Sequence, residues 1–198
     1  REEVHEAARH RRGAHVAVRA RLVPLEAVIS HFLPMLFPGM EIAERVVFRV
    51  TRDADFELSD ETGQPRRLSD LLRAGPVVLF FYPRAMTSGC TAEACHFRDL
   101  RTEFEKVGAQ RVGISADPVS KQMQFSDKHH FDYPLLSDED GSVARAYGVS
   151  PGLLSFIRPV RRTTFVIGTD GLILDMINSE THMHIHADRA LRTLSSLA

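Results

Sequence analysis

The chain's only two thiols, Cys90 and Cys95, stand five positions apart in the segment Phe81 to Asp99, FYPRAMTSGCTAEACHFRD. An unbroken apolar run, VVLFFY from Val77 to Tyr82, leads into a loop of Pro, Thr, Ser and Gly and then into a helix whose first turn contains Cys90. Unpaired backbone N–H groups and the positive end of the helix dipole converge at such a turn. That placement favours the thiolate, the form in which a cysteine acts as a nucleophile. A lone cysteine on a helix ordinarily reads as a small buried hydrophobe, and for Cys90 the preceding loop reverses that reading.

Composition narrows what this sulfur could serve. The 198 residues are 43% hydrophobic and 26% charged, which disfavours wholesale disorder, collagen-like repeats and a multi-span membrane protein. With 25 basic against 26 acidic residues and a net charge of -1, there is no overall electrostatic case for gripping a nucleic-acid backbone. Two cysteines make neither a disulfide framework nor a four-thiolate zinc site, so redox chemistry is the better use for them.

The elements that must position the cysteines begin after an N-terminal extension. Residues 1–21 carry six arginines and three glutamates without sustained apolar spacing, and read as a frayed helix or as disorder. Residues 22–40 are apolar but broken by Pro24, Pro34 and Pro38 and interrupted by Glu26 and His31, which suits an amphipathic extension better than a signal peptide or membrane anchor. Met40 is a plausible alternative start. The domain is expected over 46–198, with 1–45 as a partly disordered or loosely packed extension.

Within the domain, VVFRV and DFEL read as short strands around the turn DETGQP, and LSDLLRA reads as a helix N-capped by Ser69 and ended by Gly75-Pro76. VVLFFY has no alternation, as expected of a central strand buried on both faces. Apolar positions at Ala94, Phe97, Leu100 and Phe104 predict a helix from Cys90 to Lys106. VGIS, Val112 to Ser115, is a strand, and Asp117-Pro118 opens a helix to about Lys128. A helix around Ser142 to Tyr147 ends at Gly148. TFVIG and LILDMI flank the hairpin turn Thr169-Asp170-Gly171, and His186 to Leu197 forms a closing helix. Strands alternating with helices and finishing in a hairpin plus helix indicate an α/β fold with a mixed sheet.

The pattern Pro83-x-x-x-Thr87-x-x-Cys90 after an apolar strand, continued by Thr91-x-Glu93 and Phe97-Arg98-Asp99, resembles the active-site segment of peroxiredoxins, and most closely the Q type, also called bacterioferritin comigratory protein. The resemblance runs from about Ala54 to Ala198 and takes in DFELSDETG, YPLLSDEDGSVARAYGV and Arg162-Thr163-Thr164-Phe165-Val166-Ile167. Members of that group often carry Pro where this chain has Ser88, a difference that alters loop stiffness and removes no reacting group.

The resemblance implies a thioredoxin-like fold and a thiol peroxidase with no cofactor. Its substrate would be hydrogen peroxide or an organic hydroperoxide and its reductant thioredoxin or a similar dithiol. The implied protein is cytoplasmic, a monomer or weak homodimer, without membrane or nucleic-acid partners. Cys90 takes the role of peroxidatic cysteine. Thr87 offers a hydroxyl to the peroxide. Arg162 offers fixed N–H donors while staying protonated, with Arg161 as the lesser candidate. Pro83 is placed over the sulfur, where it restricts water. Glu93 is either a tether for the loop and helix start or a surface acid favoured by the dipole. Cys95 takes the role of resolving cysteine. On an intact helix, positions five apart have Cα atoms roughly 8.5 Å apart, whereas a disulfide needs less than ~7 Å. The first turns must therefore unwind after Cys90 is oxidised.

Three other readings compete. A thioredoxin-like disulfide exchanger lacks its Cys-x-x-Cys here. A metal site on His182, His184 and His186 requires an extended segment with those residues on one face, against which stands a solvated polar edge; the pair His129-His130 is weaker still. A non-catalytic protein would dock through its N-terminal apolar segment. A one-cysteine peroxidase, with Cys95 only packing, is the remaining variant of the first reading.

Overall fold

The computed structural model describes residues 55–150 and 160–196, all within the compact unit Val50–Ala198. The expectations for 1–45 and for VVFRV lie outside the described residues.

The sheet is built around VVLFFY. Strand β3 (Val77–Phe81) is fully buried along its length. It pairs parallel with β4 (Gln110–Ser115) on one side and antiparallel with β6 (Thr163–Ile167) on the other. Outward from β4 lie β5 (Leu135–Ser137), β1 (Glu57–Ser59) and β2 (Pro65–Arg67), and outward from β6 lies β7 (Ile173–Asn178). The result is a seven-stranded mixed sheet of order β2-β1-β5-β4-β3-β6-β7 in a thioredoxin-like fold.

Alternate side chains of a strand point to opposite faces, and β3 feeds two cores accordingly. Val78, Phe80 and Tyr82 pack with Cys90, Ala94, Phe97, Phe125, Ala187 and Ala190. Val77, Leu79 and Phe81 pack with Leu68, Leu71, Val112, Val143 and Phe165. The first core belongs to helices α2 (Ser88–Asp99), α3 (Arg101–Lys106), α4 (Val119–His129) and α6 (His184–Ser195). The second takes α1 (Leu68–Ala74) and α5 (Ser142–Ala146). The absence of alternation in VVLFFY thus has the expected cause. At its centre the Phe80 and Phe97 rings stack with centroids 4.3 Å apart, which anchors α2 to the sheet.

Several local expectations change in the folded chain. The helix expected from Cys90 to Lys106 is two helices that meet at Leu100, whose backbone (φ -91, ψ 20) leaves the helical region. Phe97 and Phe104 remain fully buried across the break, so their spacing reports burial and not helical continuity. Ser69 is not the cap of α1: Arg67 occupies that position, and the Ser69 N–H donates to Asp55 Oδ1 at 2.9 Å. Strand β5 is too short, at three residues, to show periodicity, and the sequence alone does not mark it. The Thr169-Asp170-Gly171 hairpin forms as expected, with the Gly171 N–H donating to Gly168 O at 2.8 Å.

Gly75 ends α1 with φ at 151°, and a Cβ there would lie 2.2 Å from the backbone oxygen of Gly108. Both the left-handed backbone and the backbone contact oppose a side chain. Gly75→Ala should therefore cost about 2 kcal/mol or more, read as a lower midpoint in urea unfolding; an unchanged midpoint would contradict this account of the α1 end.

Candidate active site

β3 delivers the reactive segment. Pairing continues one residue past the strand, with the Tyr82 N–H donating to Ile114 O at 3.0 Å, and stops at Pro83, which has no N–H to donate. The loop is then held from the far side of β4: the Ala85 N–H donates to Asp117 Oδ2 at 2.6 Å. Asp117 is itself fixed by Ser115 Oγ at 2.9 Å and by Lys121 Nζ at 2.8 Å. Gln122 completes this buried network through its amide, which donates to Ser115 Oγ and Leu136 O, and accepts the Tyr82 hydroxyl proton. Met86 then takes a left-handed backbone, φ 68°, that turns the chain into α2.

Thr87 is the N-cap residue, yet its side chain makes no cap bond. Its hydroxyl donates instead to Arg84 O at 3.1 Å, which leaves the oxygen lone pairs free to accept a proton donor. The first-turn amides of α2 have no side-chain acceptor, and they remain available to an incoming anion or oxygen. Cys90, the third residue of the helix, is buried and unoxidised. Pro83 is half-buried and Thr87 exposed at the loop surface.

β6 brings the cation. Arg162 sits just before that strand, buried, with Nη2 3.2 Å from Cys90 Sγ. Arg161 is exposed, so of the two arginines it is Arg162 that reaches the sulfur. The other guanidinium nitrogen, Nη1, is bonded to Glu93 Oε2. Glu93 is fully buried, which removes its reading as a surface acid. Three residues after Cys90 on the same helix, it faces the same side as the thiol, and that spacing is the signal from which its partnership could have been read.

Burial opposes the charge on both members of this pair, and they respond in different senses. For Arg162 the attraction of Glu93 and of Cys90 outweighs burial and keeps the guanidinium protonated. For Glu93 burial prevails over the attraction of Arg162, and the carboxyl is pushed up to about 8. Its second oxygen, Oε1, is buried without a hydrogen-bond partner and lies 3.7 Å from His186 Nδ1. The unfolded chain releases this proton near the ordinary value of 4.5, the folded protein only near 8. The raised carboxyl therefore contributes stability that is fully present below about 4.5 and lost as pH rises through 8. Apart from a constant offset, Glu93→Gln should gain on the wild type in urea-unfolding free energy between pH 5 and pH 9. A difference that does not change with pH would contradict the buried, protonated carboxyl.

His186 is neither a ligand nor part of a solvated edge. It is fully buried at the start of α6, its Nε2 donating to Ser179 O at 3.0 Å and its Nδ1 accepting from the Thr164 hydroxyl at 2.9 Å. Burial lowers the pKa of this imidazole, and its neutral form with the proton on Nε2 satisfies both bonds. His182 and His184 are exposed, and because α6 begins at His184 the three do not share an extended face. Among the described residues no group of three or more His, Cys, Asp or Glu could hold a metal ion. Cys95 is half-buried and unoxidised, with burial raising its pKa. Its Sγ lies 3.9 Å from His129 Nδ1.

A sulfur nucleophile at an uncapped helix start, with a fixed guanidinium beside it and a threonine acceptor at the mouth, suits attack on a polarised O–O bond. On a thioredoxin-like sheet this is the chemistry of a peroxiredoxin, a thiol-dependent peroxidase. The AhpC/TSA family model matches residues 50–176, and the chain belongs to that family. A peroxiredoxin of Mycobacterium tuberculosis is 64% identical over 144 residues, which span 73% of this chain and 94% of that protein. Peroxiredoxin Q of Sedum lineare chloroplasts is 34% identical over 172 residues, 85% of this chain and 91% of that one. The crystal structure of the peroxidoxin BcpB from M. tuberculosis matches with 63% identity and a TM-score of 0.70, covering 73% of this chain and 94% of its own. The bacterioferritin comigratory protein of Xanthomonas campestris, described for its alkyl peroxide reduction activity, matches with 30% identity and a TM-score of 0.66 over 72% of this chain and 91% of its own. A polyphosphate kinase middle-domain model also matches residues 10–74, less than half of the chain and overlapping the first match, and shows no family. No described helix is long and apolar enough to cross a membrane.

Proposed function

We propose that Cys90 is the peroxidatic cysteine of a two-cysteine peroxidase acting on hydrogen peroxide and organic hydroperoxides. The observation that carries this reading is the 3.2 Å approach of Arg162 Nη2 to Cys90 Sγ at the start of α2. The thiolate attacks the nearer peroxide oxygen; an S–O bond forms, the O–O bond breaks, and its electron pair leaves with the distal oxygen as alkoxide or hydroxide, which takes up a proton. Arg162 donates to the thiolate and to the peroxide. Thr87, whose own proton is committed to Arg84 O, accepts the peroxide O–H. Pro83 limits water at the loop. The alkyl peroxide chemistry described for the X. campestris relative supports an organic substrate.

Cys95 then acts as the resolving thiol. Because both cysteines lie on one continuous helix, Ser88–Asp99, the disulfide requires α2 to unwind locally. The exposed disulfide is reduced by thioredoxin or a similar dithiol, and the protein works in the cytoplasm as a monomer or weak homodimer. Cys95→Ser should complete one round of peroxide reduction, leave a sulfenic acid at Cys90 and lose about tenfold or more of its thioredoxin-linked turnover. The check is steady-state peroxide consumption with thioredoxin, alongside mass spectrometry for a Cys90–Cys95 bridge in the wild type. Full turnover in the variant would make the protein a one-cysteine peroxidase.

A further inference from the structure

The two halves of α2 are held by different partners. Cys90 and Glu93 face Arg162. The half that carries Cys95 is bolted to the end of α4, the α4–β5 loop and β4 by three bonds. The Tyr133 hydroxyl donates to Ala94 O at 2.7 Å, Arg98 Nη1 to His129 O at 2.6 Å, and Arg111 Nη1 to Phe97 O at 2.9 Å. The second of these ties the backbone of His129 to the helix that bears the thiol. The His129 ring is fixed in turn, stacked on Phe131 with centroids 5.7 Å apart and edge-on to Phe125 at 5.3 Å. Its Nδ1 faces Cys95 Sγ at 3.9 Å.

We propose that His129 is the general base of the resolving step, its Nδ1 accepting the Cys95 thiol proton as that sulfur attacks the sulfenic sulfur of Cys90. The proposal rests on the reading of Cys95 as the resolving thiol. The S–S bond forms and the S–O bond breaks, with the electron pair leaving on hydroxide, which departs as water. The proton taken up by that hydroxide is balanced by the one His129 receives and returns to solvent from its half-exposed ring. The need for a base follows from the surroundings: burial raises the Cys95 thiol, so the attacking thiolate is scarce at neutral pH. His129 is in the right form to serve, since burial and the neighbouring cations Lys128 and Arg98 lower its pKa and favour the neutral imidazole. Of the charged groups near the thiol, Arg98 favours the thiolate and Asp99 opposes it, and burial prevails over the attraction of Arg98. In this arrangement Cys95 stays seated by His129, and the turn bearing Cys90 unwinds toward it.

The test is rapid mixing of reduced wild type, His129→Asn and Cys95→Ser with one equivalent of hydrogen peroxide, without reductant, from pH 5 to pH 9. Quenched samples are read by mass spectrometry for trapped sulfenic acid and for disulfide. Formation of the sulfenic acid serves as the fold check at Cys90. At pH 7, disulfide closure should be about tenfold or more slower in His129→Asn. The wild-type rate should fall on the acid side as His129 protonates, and the gap should narrow toward pH 9, where solvent hydroxide deprotonates the thiol. A variant that closes at the wild-type rate overturns the proposal, as does a deficit equal at every pH, which is the mark of a packing role. If Cys95→Ser accumulates sulfenic acid while His129→Asn behaves as wild type, only the role of His129 falls. If the wild type forms no Cys90–Cys95 disulfide, the resolving reading falls and takes this proposal with it.

Discussion

Cys90→Ser should abolish peroxide consumption, both in a single round and in turnover with thioredoxin, while leaving the fold intact. Serine fits the space of a buried thiol, yet its alcohol is not ionised near neutral pH and is a poor nucleophile toward an O–O bond. Cys95 offers no replacement, since it sits against His129 on the other half of α2 and away from the Arg162 guanidinium. The measurement is stopped-flow oxidation of the reduced variant, with far-UV circular dichroism as the fold control. Peroxide consumption at the wild-type rate would move the chemistry to another residue and remove Cys90 from the site.

Arg162→Ala should slow the peroxide step by about 10² or more, roughly 2.7 kcal/mol, the usual loss when one preorganised donor to a developing anion is removed. Two effects combine. The sulfur loses its N–H partner at 3.2 Å, and the buried Glu93 loses the cation that offsets its burial, so Glu93 shifts further toward its protonated form. Arg162→Lys should recover only part of the rate, because an ammonium cannot present one nitrogen to the sulfur and another to Glu93 Oε2 in the fixed fork that the guanidinium provides. Arg161→Ala, at an exposed position, should change the rate little. The second-order rate constant for oxidation decides among these, and a larger effect at Arg161 than at Arg162 would reverse the assignment.

The placement of Cys90 at a helix start was legible because its signals are local. A strand without alternation, a loop of helix-starting residues and a cysteine in the following turn lie within 14 residues, Val77 to Cys90, and each is a statement about short-range backbone preference. The hairpin at Thr169-Asp170-Gly171 and the stop at Gly148, φ 69°, are of the same kind. Where local signals were weak, the reading stopped. Strand β5 shows no period in three residues, and the break at Leu100 leaves the burial pattern of the surrounding helices unchanged.

By itself the sequence determined most of the elements, though not β5 or the break at Leu100, together with the buried central strand and the placement of Cys90 at a helix start, since these follow from periodicity, turn residues and steric limits acting over a few positions. It singled out Arg162 only through family resemblance, because nothing in the spacing of Arg161 and Arg162 says which one points at a thiol 72 positions away. Tertiary structure alone decided that Glu93 is buried against that guanidinium, that Asp117 holds the loop by the Ala85 N–H, that His186 is buried and neutral, and that His129 faces Cys95. The physical reason is that charge pairing, burial and hydrogen bonding depend on distances set by how the sheet stacks its helices, and residues far apart in the chain carry no record of those distances in their local pattern.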